Sequence, residues 1–198
     1  MTAKMRKKSH RPLPAIKAEA IRNRYNEMGV AAYYDQHGCN YQNPHFDAIH
    51  TLLLQNRHRI DYTQALDFCC GSGEVSQVLA SMGYPLPIAT DPYTGEAYQR
   101  RIGRTCLDLS FYDVICGKLQ GQFSSVICSF AMHLCPPRQL FPLVFQLFQC
   151  TKQVVVLTPH KRPELEKLEG VCLEFTDYTL TTRGKKVWLK AFRQAIAN

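Results

Sequence analysis

The fold is decided by the stretch Leu66-Asp67-Phe68-Cys69-Cys70-Gly71-Ser72-Gly73-Glu74. Its apolar start predicts a short strand, and the apolar spacing that follows predicts an amphipathic helix ended by Gly83. Gly71 and Gly73 lack side chains, so a ligand can approach the backbone where the N-terminus of the helix offers free N–H groups. In open α/β sheets, ligands bind at the carboxyl ends of the strands, which is where this turn would lie.

Short apolar runs alternate with helical patterns along most of the remaining chain. The predicted strands are Ala65–Cys69, Leu86–Thr90, a short one around Arg104–Leu107, Phe123–Ser129 and Gln153–Leu157, the last preceded by a helix around Leu140–Phe148. This alternation predicts a mostly parallel sheet covered by helices on both faces. The tail differs, because Val171–Thr176 and Lys186–Phe192 are strand-like with only a loop between them, which favours an antiparallel pair.

The N-terminal third predicts an arm and helices rather than strands. Residues 1–14 carry many basic residues and two prolines, which predicts a flexible basic arm. A helix is predicted over about Ile16–Met28, and Asn43 followed by Pro44 predicts the start of another. We expect a single α/β domain over residues 15–198, with N-terminal helices over 15–60 that form a lid on a core over 61–198.

Composition sets the class of protein. The 198 residues suffice for one domain with a sizeable core, and no apolar run approaches the ~20 residues that cross a bilayer. The nine cysteines are an odd number, and several lie within apolar runs, which favours reduced thiols in a cytoplasmic protein. No cluster of Cys and His predicts a metal site. The basic N-terminus leaves nuclear or organellar targeting open.

A net charge of +8 bears on the partners of the protein. Such charge attracts polyanions, so RNA is one partner class to consider, although a basic surface that only keeps the protein soluble accounts for it as well. We expect no membrane partner, and the sequence does not determine the oligomeric state.

The glycine turn resembles the first motif of class I S-adenosylmethionine-dependent methyltransferases, typically Asp-x-Gly-x-Gly-x-Gly. Asp67, Gly71 and Gly73 match that motif, and Cys69 stands where its first glycine usually stands. The resemblance covers about residues 60–195 and implies a Rossmann-like methyltransferase fold with S-adenosylmethionine as the cofactor. In the segment that corresponds to the fourth motif, Ser124 replaces a common aspartate.

The resemblance also implies which residues hold the cofactor. Asp91, at the end of the second predicted strand, corresponds to the acid that bonds the ribose hydroxyls, and Asp108 to the acid that meets the adenine amino group. The full set implied for the cofactor is Asp67, Cys69, Gly71, Gly73, Asp91, Pro92, Asp108, Leu109 and Ser129. The rival for this loop is NAD, because Gly71-x-Gly73-x-x-Ser76 nearly fits the dinucleotide fingerprint, but the chain has no second domain for a substrate.

Methyl transfer from a sulfonium can depend largely on proximity and alignment, with a base where the acceptor must lose a proton. His133 and His160 follow predicted strands at the cofactor edge and are hypothesised as that base, although either histidine can simply be packed. The residues hypothesised to contact the acceptor are Tyr33, Tyr34, Tyr41, His45, Lys161 and Arg162.

The sequence therefore predicts a methyltransferase whose acceptor is a small molecule, RNA or protein. A different class of function stays open beside it. The same fold can serve without catalysis, as a sensor that binds S-adenosylmethionine or as a subunit that supports a partner.

Overall fold

A computed structural model describes residues 29–159 and 162–195. The predicted basic arm, the predicted helix over Ile16–Met28, and His160 and Lys161 lie outside the described residues. Among the described residues, the helices are α1 (Val30–His37), α2 (Phe46–Gln55), α3 (Glu74–Ser81), α4 (Gly95–Ile102), α5 (Phe111–Ile115) and α6 (Pro137–Cys150). The strands are β1 (Leu66–Phe68), β2 (Ile88–Thr90), β3 (Val126–Ser129), β4 (Gln153–Thr158), β5 (Val171–Leu180) and β6 (Lys186–Gln194).

The six strands form one sheet in the order β2-β1-β3-β4-β6-β5. The first four strands in this order, β2, β1, β3 and β4, are parallel to one another. In contrast, β6 is antiparallel to both β4 and β5. The predicted α/β fold with a mostly parallel sheet and an antiparallel C-terminal pair is therefore confirmed. The chain leaves β1 for β2 on one side and later returns to β3 on the other, so the strand order reverses between β1 and β3.

Helices cover the sheet on two faces, as predicted from the alternating pattern. Ile49 and Leu52 of α2 and Val78 of α3 pack with Ile127 and Val155 on one face. On the other face, side chains of α5 and α6 are buried against β1, β3 and β4. The central strands are therefore buried on both faces, because their alternate residues pack against opposite helix layers.

Three of the differences between the predicted elements and the structure have a clear physical cause. Residues 104–107 form no strand, because Leu107 makes only an isolated bridge to Thr90. The α2 helix begins at Phe46 instead of Pro44, since the side chain of Asn43 accepts the N–H of His45 in a turn before the helix. β5 extends to Leu180, four residues past the predicted end, because it stays paired with β6 up to the hairpin loop.

Within the described residues, no helix combines the length and the apolarity that a membrane span needs.

Candidate functional site

A cavity of about 280 Å³ opens at the carboxyl edge of the sheet, beside the point where the strand order reverses. This is the place where open α/β sheets bind ligands, and the volume lies near the lower end of the ~300–1,000 Å³ of ligand sites. The lining residues come from six segments. The residues that line the cavity are Tyr34, Tyr41, Asn43, Cys69–Gly71, Glu74, Asp91–Thr94, Ser110–Tyr112, Ser129–Ala131, Leu134, Pro136 and Gln139.

The floor of the cavity is the turn after β1. Cys69 and Gly71 both have left-handed backbone conformations, with φ of 56° and 57°. A left-handed non-glycine residue is uncommon, and here it lets the chain leave the strand sharply and expose the backbone of the turn. The turn is held to the end of β2, because Gly71 N–H donates to Asp91 Oδ2 at 3.1 Å and Thr94 Oγ1 donates to the Gly71 carbonyl at 2.7 Å.

Gly71 also permits the N-terminal segment to close over the turn. A Cβ added at Gly71 would lie 2.8 Å from Cε1 of Tyr41, closer than real contacts allow. Gly38 has the same role earlier in the chain, because its Cβ would overlap the carbonyl oxygen of Tyr93. These two glycines let the segment from α1 to α2 pack directly on the cavity wall.

Asp91 lies at the centre of one wall and is almost wholly buried. Its Oδ1 accepts the N–H groups of Tyr93 and Thr94 at 2.9 and 3.0 Å, in addition to the bond from Gly71 to Oδ2. Burial raises the pKa of Asp91, and these hydrogen bonds partly offset that rise. A carboxylate has about four lone-pair sites and three N–H groups bond to this one, so acceptor capacity remains on this residue of the cavity lining.

Two residues of the predicted cofactor set, Asp67 at the centre of β1 and Gly73 at the end of the turn, lie outside the cavity lining. Asp67 is fully buried, and its Oδ2 accepts the backbone N–H and the hydroxyl of Ser76 at 3.1 and 2.7 Å. Burial raises its pKa to about 8. Gly73 makes room for Ile102 and Tyr98 of α4, which a Cβ would meet. Both residues therefore shape the turn without lining the cavity.

The cavity wall that Asp108 was predicted to form is built instead by the residues that follow it in the chain. Asp108 is exposed and Leu109 is half-buried, and neither belongs to the lining. Ser110, Phe111 and Tyr112 line the cavity instead. Ser110 caps α5 in a reciprocal capping box with Asp113, so the pattern Ser-x-x-Asp is the sequence signal that would have found this wall.

Sequence reasoning also missed Glu74, a buried carboxylate that joins three segments at the cavity. Glu74 Oε1 accepts Asn43 N–H and Arg101 Nη1, each at 2.9 Å, and the hydroxyl of Ser72 also donates to it. The guanidinium of Arg101 lies 5.3 Å from the ring centroid of Phe46 on α2. One acid thus ties the N-terminal segment and α4 to the start of α3.

Aromatic rings from the N-terminal segment cover the cavity. Tyr34 stacks on Tyr93 with 5.8 Å between ring centroids, and Tyr33 contacts Tyr34 edge-on from outside the lining. His45 stacks on Phe130 at 4.9 Å and 10°, and Phe130 lines the cavity while His45 does not. Four of the predicted acceptor residues are therefore near the site, and two of them, Tyr34 and Tyr41, line it.

The predicted base His133 lies on a single 3-10 turn, Met132–Leu134, beyond β3. Its neighbours Ala131 and Leu134 line the cavity, but His133 itself is not in the lining among the described residues. Arg162 is exposed after β4, also outside the lining. Across residues 29–159 and 162–195, no group of three His, Cys, Asp or Glu side chains could hold a metal ion.

Comparison with known proteins gives one relative and a shared fold. Over an alignment of 204 positions, the chain is 35% identical to an uncharacterized protein of Schizosaccharomyces pombe, covering 80% of this chain and 83% of the relative. No protein-family model matches the chain.

Solved structures with a similar fold include two methyltransferases. Magnesium protoporphyrin IX methyltransferase from Synechocystis PCC 6803, with bound S-adenosylmethionine, superposes with a TM-score of 0.59 at 19% identity over 88% of this chain and 95% of that one. The N-methyltransferase NodS from Bradyrhizobium japonicum, with S-adenosylhomocysteine, gives 0.55 at 14% identity over 77% and 89%. The fold is that of class I S-adenosylmethionine-dependent methyltransferases, as the resemblance implied.

Proposed function

We propose that this chain, which belongs to one family with the uncharacterized protein of Schizosaccharomyces pombe, is an S-adenosylmethionine-dependent methyltransferase. One observation carries the proposal. The cavity at the carboxyl edge joins the Gly71 turn to the carboxylate of Asp91, where the strand order reverses.

The cavity suits the chemical groups of S-adenosylmethionine. Asp91 retains acceptor capacity for the ribose hydroxyls, and Gly71 leaves the backbone open to close approach. Pro92, Phe111 and Tyr112 supply flat apolar surface for the adenine ring. When bound, the cofactor supplies an electrophilic methyl group on a sulfonium.

The remaining predicted cofactor residues have different roles in this proposal. Cys69 and Ser129 line the cavity at the ends of β1 and β3, so they contact the cofactor directly. Asp67 and Gly73 support the turn without lining the cavity, as positioning residues. Asp108 and Leu109 adjoin the wall of Phe111 and contact the adenine only at its rim.

The acceptor enters from the side covered by Tyr34 and Tyr41, and Tyr33 and His45 support that cover. Transfer then requires the acceptor atom to lie in line with the methyl group, which the cover enforces by confining the acceptor. His133, beside the lining residues Ala131 and Leu134, is proposed as the base for an acceptor that must lose a proton. His160 remains proposed as an alternative base, and Lys161 and Arg162 remain proposed contacts of the acceptor.

The test supplies methyl-labelled S-adenosylmethionine and the full chain to RNA, protein and small-molecule fractions of a cell extract. Transfer of label to one fraction supports the proposal and identifies the class of acceptor. Asp91→Asn serves as the control protein and is expected to lower the transfer. If the cofactor binds but no fraction gains label, the non-catalytic sensor replaces the proposed enzyme.

A further inference from the structure

The hairpin formed by β5 and β6 carries a cluster of aromatic and basic side chains. Tyr178 and Trp188 are cross-strand partners whose ring centroids are 5.1 Å apart. The ammonium of Lys186 lies 4.0 Å from the centroid of Tyr178 and 5.0 Å from that of Trp188. We call the following residues the hairpin surface: Tyr178, Leu180, Arg183, Lys185, Lys186 and Trp188.

The hairpin surface lies at the same edge of the sheet as the cavity. Trp188 pairs with Thr158, the last residue of β4, and the preceding Leu157 pairs with Ser129 of the cavity lining. In the sheet, β6 lies two strand spacings of ~4.8 Å from β3, and β5 lies three. Trp188 on β6 and Tyr178 on β5 therefore lie ~10 Å and ~14 Å across the edge from the end of β3.

The charge of the hairpin loop also acts on a residue beside the cavity. Burial lowers the pKa of His45, and the positive charge of Lys185 lowers it further. His45 in turn stacks on Phe130, which lines the cavity. The charge of Lys185 therefore acts on a residue that packs against the cavity lining.

The cations of this surface are not neutralised by nearby acids. None of the ion pairs between described residues includes Arg183, Lys185 or Lys186. The nearby acids are engaged elsewhere, since Asp177 accepts the amide of Asn56 at 2.9 Å and Glu166 pairs with Lys190 at 3.0 Å.

The apolar side chains of this surface are also open to solvent. Tyr178 is 46% exposed and Leu180 is 58% exposed. An exposed ring can stack on flat groups, and the three uncompensated positive charges beside it attract anions. The surface therefore suits a ligand with flat rings and repeated negative charge.

We propose that the hairpin surface binds single-stranded nucleic acid and guides it to the cavity. A base stacks on the exposed ring of Tyr178 in place of the Lys186 ammonium, and the cations at the tip of the hairpin contact the phosphates. That the strand is the methyl acceptor rests on the proposed function. A small metabolite does not span the ~10–14 Å between the two sites. An acidic peptide carries negative charge but lacks the flat bases that stack on an exposed ring.

Trp188 gives a direct readout, because it is the only tryptophan of the chain. The full chain is titrated with oligouridylate, with oligodeoxythymidylate and with polyglutamate, and the tryptophan emission is followed. We expect saturable quenching by the nucleic acids that weakens as the salt concentration rises. Whichever oligonucleotide binds more tightly shows whether the surface prefers RNA or DNA. Equal quenching by polyglutamate, or none by either oligonucleotide, overturns the proposal.

Three variants separate stacking from charge. Tyr178→Ala is expected to weaken oligonucleotide binding about tenfold. Lys186→Ala should make the slope of log affinity against log salt less steep by ~0.7. The control is Arg193→Ala, which removes the same charge from an exposed position at the opposite end of β6. A loss with Arg193→Ala as large as that with Lys186→Ala contradicts a local site.

The outcomes also separate this inference from the proposed function. Methyl transfer to a small molecule, without binding of either oligonucleotide, overturns the inference and leaves the methyltransferase standing. Oligonucleotide binding that depends on Tyr178 and Lys186, without transfer of label to any fraction, supports the binding surface and overturns the enzyme.

Discussion

Nη1 of Arg101 lies 2.9 Å from Oε1 of Glu74, a carboxylate whose side chain is 2% exposed. This pair joins α4 to the start of α3, and the same oxygen accepts the N–H of Asn43 from the N-terminal segment. The N-terminal segment that covers the cavity is therefore held to the core by the buried carboxylate of Glu74.

Replacing Arg101 by methionine should destabilise the protein, because Glu74 stays buried without its cation. We expect a loss of about 1–3 kcal/mol in the free energy of unfolding, less than for a wholly buried pair because Arg101 is partly exposed. Urea denaturation measures it, with Arg100→Met as the matched control on the same helix. Equal losses for both variants would show that the pair contributes nothing specific.

Gly71→Ala should be destabilising for two separable reasons. The left-handed φ of 57° costs about 1–2 kcal/mol for any L-residue, and the overlap with Tyr41 adds about 1 kcal/mol. Gly83→Ala supplies the control, since its φ is also positive but no atom lies within 4 Å of the added Cβ.

The double variant isolates the contact with Tyr41. Gly71→Ala should cost less free energy of unfolding in a Tyr41→Ala background than in the unaltered chain. Identical costs in both backgrounds would mean that Tyr41 does not close over the turn.

Asp67 should make the stability of the protein depend on pH. Burial raises its folded pKa to about 8, above the ordinary value of 3.8 that it regains on unfolding, so the folded state binds the extra proton. The stabilising contribution of Asp67 to the free energy of unfolding is therefore fully present below pH ~4. It is lost as the pH rises toward 8. Asp67→Asn keeps an acceptor for Ser76 and should flatten this region of the pH profile.

The measurement is urea denaturation of both proteins between pH 5 and pH 9. The variant should gain stability relative to the unaltered protein as the pH rises. Parallel profiles would indicate that Asp67 is ionised in the folded protein across this range.

Much of the fold could be predicted from the sequence because it depends on local patterns. The apolar runs that became β1 to β4, the glycine turn and the antiparallel tail each leave a period or a turn signal in a few residues. The cavity wall at Phe111 and Tyr112 and the link from Glu74 to Asn43 were missed, because they depend on distant segments meeting in space. The family resemblance implied Asp108 as a contact of the adenine, but the residues before it form only a single bridge and Asp108 is exposed.

The most direct test of the central claim is calorimetry of S-adenosylhomocysteine binding to the full chain, to Asp91→Asn and to Asp108→Asn. We predict saturable heat from one site, at least tenfold weaker binding with Asp91→Asn because a charged acceptor is lost, and little change with the exposed Asp108→Asn. Absence of heat with the unaltered chain, or unchanged affinity in Asp91→Asn, would contradict a cofactor site at the Gly71 turn.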